Sequence, residues 1–371
     1  MRIALVSSDK LCGVHEVAKI LHSGFEACGH KVDFIGVERW NDQDLKKKIN
    51  RIGKEVELVI FEHSFGVFSN KGLIPKLFKL RFVRRKKVIL SLHELEPMQF
   101  ALRHRLNSLI DYKCTRGLIG ELPKVIRGSI NVGLTFAIHR LSMLLLGWLP
   151  NVIVIHSSAM LDQLPMLGDI RAKTKIIPLP VKKLQDDKIE KRKKLGLRED
   201  AFVFLIPGFF FRRKRIIEVI RNLPQDSLLV VAGTSSDFDP GCIDEVTEYI
   251  RLNEVRNVRI EEGYGQFVEN QIVATDVVVL FYQWVFQSAT ASQAIGAGKP
   301  CIFSNIEGFQ QFERAGIFVN NESELRKAMT DIKDYKLYER LRQNALTLRD
   351  ELKPERIATM YLCNQKRLGL S

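Results

Sequence analysis

The residues best equipped for chemistry lie near the end of the chain, where Asp276 introduces an apolar stretch, Val277–Tyr282, and Gln287-Ser288-Ala289-Thr290-Ala291-Ser292-Gln293 follows. An apolar run without alternation reads as a strand buried on both faces. The Ser/Thr-rich loop after it opens a helix that Gly298 and Pro300 close, and Cys301-Ile302-Phe303 begins another buried strand. Such a unit leaves free N–H groups at the helix start, beside the carboxyl edge of a sheet, where the phosphates of a sugar nucleotide would sit. A second cluster, Gly208-Phe209-Phe210-Phe211-Arg212-Arg213-Lys214-Arg215, places cations at the start of a predicted helix. Exposed surface cations are one account of it. Positive charge is unfavourable at that end of a helix dipole, which points instead to an anionic ligand. Two histidines, His63 and His93, each follow a buried strand, where an imidazole can meet a substrate or can simply be structural.

These residues need a frame, and the chain supplies alternating strands and helices in both halves. Strands are expected at 2–7, 31–36, 58–61, 87–92 and 152–156, then at 202–206, 227–232, 258–261, 276–281, 301–304 and 317–319. Strand–helix repetition implies right-handed crossovers and parallel sheets. Ile177-Pro178-Leu179-Pro180 and the charged stretch Lys182–Lys194 separate the halves, with the boundary expected near 181–200. The expected division is a Rossmann-like domain over 1–180, a second over 181–353, and a terminal helix in 354–371 packing back on the first. Leu141–Ile155 is almost wholly apolar but too short to span a bilayer and is broken by Pro150. It reads as the end of a helix over 130–149 that packs beside the strand 152–156, with Trp148 and its leucines assigned to the core and an interfacial role beside the basic face as the alternative.

Length and composition agree with two self-sufficient cores: 371 residues, 46% hydrophobic. Six scattered cysteines without CxxC spacing predict reduced thiols and neither a zinc site nor a disulfide framework. The chain opens directly on a strand, so a cytoplasmic location is expected, peripheral at the inner face of a membrane in one version. The net charge of +14 is uneven: residues 1–175 carry 28 Lys/Arg against 16 Asp/Glu, concentrated between Lys71 and Arg127. That field would attract an anionic membrane surface, and a solvated face is the plainer account. A nucleic-acid partner is not expected, because no recognition motif or aromatic–basic interleaving accompanies the charge.

Six local patterns in order carry a family resemblance: Cys12-Gly13-Val14, Glu62-His63-Ser64-Phe65-Gly66-Val67-Phe68, Ser91-Leu92-His93-Glu94-Leu95, Val154-Ile155-His156-Ser157, Ile177-Pro178 and Gly208–Arg215. Together they resemble the GT-B retaining glycosyltransferases of family 4 over essentially the whole chain. The resemblance implies an α/β fold of two Rossmann-like domains facing a central cleft. It places Lys214 on the donor diphosphate, with Arg212 or Arg213 supplying the charge the family often carries at the position of Phe209. It puts Gly13, Tyr264, Gln287, Ser288, Ala289, Thr290 and Gln293 around the donor, His93 on the transferred sugar, and His63 beside the acceptor. Gly13 alone is equally an ordinary tight turn. Two family glutamates are replaced here, by Val285 and Gln293. Gln293 can still bond a ribose hydroxyl, whereas Val285 has no polar side-chain atom.

The function so implied is transfer of a hexose, with retention, from a nucleotide-diphosphate sugar to a glycan or lipid-linked acceptor, with no metal or other cofactor required. A catalytically silent GT-B binding subunit and a nucleotide-sugar epimerase of the same architecture are the alternatives.

Overall fold

The computed structural model describes the chain except residues 11, 65–66, 94–140, 162–167, 186, 237–238, 286 and 364–371, and the side chains of 159, 168 and 169. The basic residues from Arg103 to Arg127, the first part of the helix expected over 130–149, and the end of the terminal helix lie outside the described residues. The chain divides into two compact units, Met1–Ile177 with Tyr361–Ser371, and Pro178–Met360.

Each unit is built on a six-stranded sheet in which every pairing is parallel. In the first the strands are β1 (Arg2–Ser8), β2 (Lys31–Val37), β3 (Leu58–His63), β4 (Lys87–Leu92), β5 (Val152–Ile155) and β6 (Thr174–Ile176), in the order β2-β1-β3-β4-β5-β6. In the second they are β7 (Phe202–Pro207), β8 (Ser227–Gly233), β9 (Val258–Glu262), β10 (Val277–Leu280), β11 (Cys301–Ser304) and β12 (Gly316–Val319), in the order β12-β11-β10-β7-β8-β9. The central strands are apolar on both faces because helices cover both sides of a parallel sheet. Val6, Phe61, Leu90 and Ile153 meet Leu73 and Leu77 in one core, and Phe204, Val231, Val279 and Ile302 meet Val219, Leu325 and Met329 in the other.

The strand order fixes where a ligand can bind. In the second sheet the chain runs outward from β7 through β8 to β9, then returns to the other side of β7 for β10. The loops after β7 and β10 therefore diverge from neighbouring strands and leave a crevice at their carboxyl ends. In the first sheet the corresponding switch lies between β1 and β3.

Three sequence expectations need correction. β6 was not among the expected strands: Thr174-Lys175-Ile176 is a partly exposed edge segment that lacks the apolar run marking the others. Trp148, assigned to the core, is 49% exposed, and Leu141 is exposed too, although Leu146 and Leu149 are buried. Finally, Arg84 and Lys86 are not simply a charged surface. Arg84 donates to the carbonyls of Ile49 (2.9 Å) and Ile52, and Lys86 to those of Lys54 (2.7 Å) and Val56 (2.5 Å), closing the loop after the helix Asp42–Asn50.

Candidate active site

The crevice of the second unit gathers part of the predicted donor set. After β7 the backbone turns at Gly208, which has φ +85°, a conformation that side chains other than glycine's rarely tolerate. A short 3-10 turn, Arg212–Lys214, carries the chain into the helix Ile216–Arg221. Lys214 points back under this loop. It is 4% exposed, and its Nζ donates to the Pro207 carbonyl at 2.6 Å and lies 5.6 Å from the centre of the Tyr282 ring. Burial, and then the charge of Arg213, push its pKa down to about 7. A methyl added at Gly208 would come 3.4 Å from that Nζ and 3.5 Å from Thr290 Oγ1, so the glycine marks the space between the lysine and the loop after β10.

That loop ends in the helix Ala289–Gly296, whose N-cap Ser288 accepts from Ala291 N at 3.1 Å. The Ser288 and Thr290 hydroxyls lie beside the buried Tyr282 phenol, whose pKa burial pushes up to about 12, without reaching hydrogen-bond geometry. Lys214, Thr290 and the first turn of this helix thus converge on Gly208 from two elements of the switch point. A buried ammonium facing a helix N-terminus suits a phosphate group, since both favour negative charge.

Close packing holds the corner together. A Cβ on Gly233, at the end of β8, would overlap the Gly208 carbonyl oxygen. Gly233→Ala should therefore displace the Gly208 turn and lower stability by about 1–3 kcal/mol, read as a lower denaturant midpoint at unchanged m-value. An unchanged midpoint would show that the turn yields freely.

The other donor-site candidates divide. Arg213 sits among aromatic faces, its guanidinium 4.8 Å from the Trp284 ring centre, 5.0 Å from Phe211 and 5.8 Å from Tyr282, and it donates to the Trp284 carbonyl at 3.1 Å. Arg212, its neighbour, is held by Asp239 and Glu245, and these carboxylates raise its pKa. Its charge is thereby already matched. Gln287 and Gln293 are half-buried on the loop and helix after β10, and Tyr264 packs against Phe209, 5.6 Å between ring centres. Gly13, at the start of the helix Gly13–Ala27, belongs to the first unit with His63 and His93.

In that first unit parallel register builds a polar row. Glu62 pairs with Ser91 and His63 with Leu92, while Leu92 pairs with Ile155, so His93 and His156 emerge side by side, ring centres 4.7 Å apart. His93 Nε2 donates to Glu62 Oε2 at 2.5 Å. Ser91 Oγ lies 2.9 Å from the same oxygen, 3.0 Å from His156 Nε2 and 3.0 Å from the Tyr361 hydroxyl. His156 is held neutral by burial, and its Nδ1 donates to the Ile177 carbonyl at 2.8 Å, which leaves Nε2 as an acceptor. Glu62 is fully buried and His93 nearly so, with 9% of its side chain exposed.

Glu62, His93 and His156 are also the kinds of residue that bind zinc. Ligand atoms around a tetrahedral zinc stand roughly 3.3 Å apart, so the 2.5 Å contact between Glu62 and His93 is that of a hydrogen bond. With Nε2–H committed to Glu62, the lone pair of a neutral His93 falls on Nδ1. A carboxylate behind an imidazole favours positive charge developing nearby. His63, expected beside an acceptor, is fully buried against Phe68, ring centres 5.9 Å apart, and burial pushes its pKa down to about 3. Sequence reasoning missed Glu62, Tyr282 and Tyr361; Glu62 stood inside a quoted motif, but nothing local marks it as the partner of His93.

No family model matches the chain. A galactosyltransferase of Escherichia coli, UDP-Gal:alpha-D-GlcNAc-diphosphoundecaprenol alpha-1,3-galactosyltransferase, is 29% identical over 133 residues, a match spanning 32% of this chain and 32% of that protein. Among solved structures, Anabaena HepE in complex with UDP and glucose superposes with a TM-score of 0.72 at 15% identity, covering 99% of both chains. Sucrose-phosphate synthase of Thermosynechococcus elongatus gives 0.67 at 16% identity over 100% of both. WaaG, a glycosyltransferase of lipopolysaccharide biosynthesis, gives 0.58 at 15% identity over 96% of this chain and 99% of its own. With two parallel Rossmann-like sheets matched over nearly the whole chain by these structures, the chain has the GT-B fold.

Proposed function

We propose that this protein is a retaining glycosyltransferase that moves a hexose from a nucleotide-diphosphate sugar to a glycan or lipid-linked acceptor. The observation that carries the proposal is the convergence of buried Lys214, Thr290 and the N-terminus of the helix Ala289–Gly296 on Gly208, at the switch point of the second sheet. Neighbours of the same fold were solved with UDP and with UDP-glucose, and the partial relative acts on a lipid-linked diphosphate acceptor. In this proposal the ammonium and the helix N–H groups take the charge that builds on the leaving diphosphate, and no metal is required. Arg213 is the second cation of the site. His93, backed by Glu62, stabilises the cationic sugar, and the departing phosphate takes the acceptor's proton from the same face. The first unit, with its excess of Lys and Arg, holds the acceptor at an anionic membrane surface on the cytoplasmic side.

Screening the protein against nucleotide sugars by thermal shift tests the proposal. One diphosphate sugar should raise the melting temperature well above the matching nucleoside, by mass action, and transfer from that donor should persist in excess chelator. A chelator-sensitive reaction would remove the metal-free mechanism. Binding without transfer to any glycan or lipid-linked acceptor would favour the silent binding subunit, and interconversion of the donor sugar would favour the epimerase.

A further inference from the structure

We propose that an exposed aromatic face of the first unit inserts into an anionic bilayer, and that Phe78, Phe82, Val83 and Trp148 are the inserted residues. The inference rests on the membrane-bound acceptor proposed above and names the surface that would reach it. The helix Asn70–Phe78 runs into a wide turn, Lys79–Val83, closed by Arg84 N bonding to the Lys79 carbonyl at 2.9 Å. Such π-type turns are rare and recur at functional sites. Here Leu77 and Leu80 remain in the core, while Phe78 is 50%, Phe82 42% and Val83 67% exposed. Phe82 stacks on Trp148, ring centres 5.6 Å apart, and packs at a tilt against Phe78, 5.1 Å between centres, so three aromatic rings from two segments form one outward patch.

The surroundings of the patch select its occupant. Between His63 and His93 the chain has eight Lys/Arg and no Asp or Glu. Arg81 lies 5.1 Å from the centre of the Phe82 ring and donates to the carbonyls of Trp148 (2.8 Å) and Pro150 (3.1 Å). Lys173 donates to the same two carbonyls, at 2.6 and 2.9 Å, so two cations fix the segment that carries Trp148. An exposed apolar face framed by one sign of charge matches a surface with an apolar interior and anionic headgroups, and Trp favours that boundary. A second copy of this chain would set the same cations against each other.

Vesicle co-sedimentation of the whole protein at low salt tests this, with anionic and zwitterionic vesicles in parallel. The wild type should bind anionic vesicles in preference, and salt should weaken the binding. Phe82→Ala with Trp148→Ala should cut partitioning roughly tenfold or more while nucleotide-diphosphate affinity and the unfolding midpoint stay unchanged. In wild type, the fluorescence component that Trp148→Phe removes should be quenched by brominated lipid, a readout that does not depend on the double variant folding. Wild type indifferent to anionic vesicles, equal binding by wild type and double variant, or a solution dimer that the double variant dissolves would each overturn the proposal. Donor binding, measured on the same samples, reports separately on the glycosyltransferase assignment.

Discussion

Replacing Lys214 with Met is expected to weaken nucleotide-diphosphate binding by about 2–3 kcal/mol, roughly 30- to 150-fold, while leaving nucleoside binding nearly unchanged. The same substitution should make the free protein more stable. Lys214 is buried beside Arg213 without a carboxylate partner among the described residues, and its pKa is pushed down to about 7 from an ordinary value near 10.4. The folded state therefore binds fewer protons than the unfolded state between about pH 7 and 10.4, and stability contributed by this residue rises with pH across that window. Below pH 7 the destabilisation is complete, and Met removes it. A gain in melting temperature with a loss of ligand is the pattern of a site kept for binding.

The depressed pKa has a second consequence for binding. A diphosphate beside Lys214 favours the charged ammonium, so above pH 7 binding should be accompanied by proton uptake, and affinity should fall by up to about tenfold per pH unit. Calorimetry in buffers of different ionisation enthalpy measures that proton directly. If the uptake is unchanged in Lys214→Met, another group carries it. Equal losses for nucleoside and diphosphate would take Lys214 off the phosphates altogether.

The second large effect is expected at Glu62. Glu62→Gln keeps the shape and a hydrogen-bonding side chain against His93 but removes the buried negative charge, and should lower kcat by roughly 10²-fold or more with donor affinity within about twofold. His93→Ala should produce a similar loss in kcat. Because Glu62 is proposed to act through His93, the double substitution should cost little more than either single one. Additive losses would mean that the two residues act separately. Full turnover in Glu62→Gln would make the 2.5 Å contact a structural hydrogen bond of the sheet edge.

Much of this architecture is legible in the amino-acid sequence because it rests on local patterns. The inner strands of a parallel sheet are buried on both faces, so β3, β4, β7, β10 and β11 announce themselves as uninterrupted apolar runs. Ser288 at a helix start, Gly298 and Pro300 past its end, and the cations after β7 are readable for the same reason: caps, turns and helix dipoles act within a few residues of chain. The edge strand β6 carries no such run, since one side of it has no strand to cover it, and nothing local marks it as a strand.

What the tertiary structure alone decided involves residues far apart in sequence or side chains whose direction a turn sets. Arg212 and Arg213 are adjacent and chemically alike, yet the 3-10 turn sends one to Asp239 and Glu245 and the other among three aromatic rings. Arg84 and Lys86 read as surface charge until the fold brings the carbonyls of 49–56 within reach. Glu62 meets His93 and Ser91 only because parallel register aligns strand ends, and Ser91 meets Tyr361 only because the chain returns there 270 residues later. The pKa of Lys214 is likewise set by desolvation, which depends on the atoms packed around the ammonium from β7 and from the loop after β10 and not on its sequence neighbours alone. Short-range rules make the local setting of these groups readable along the chain, whereas folding decides their partners, because contact across a sheet is specified by register and burial.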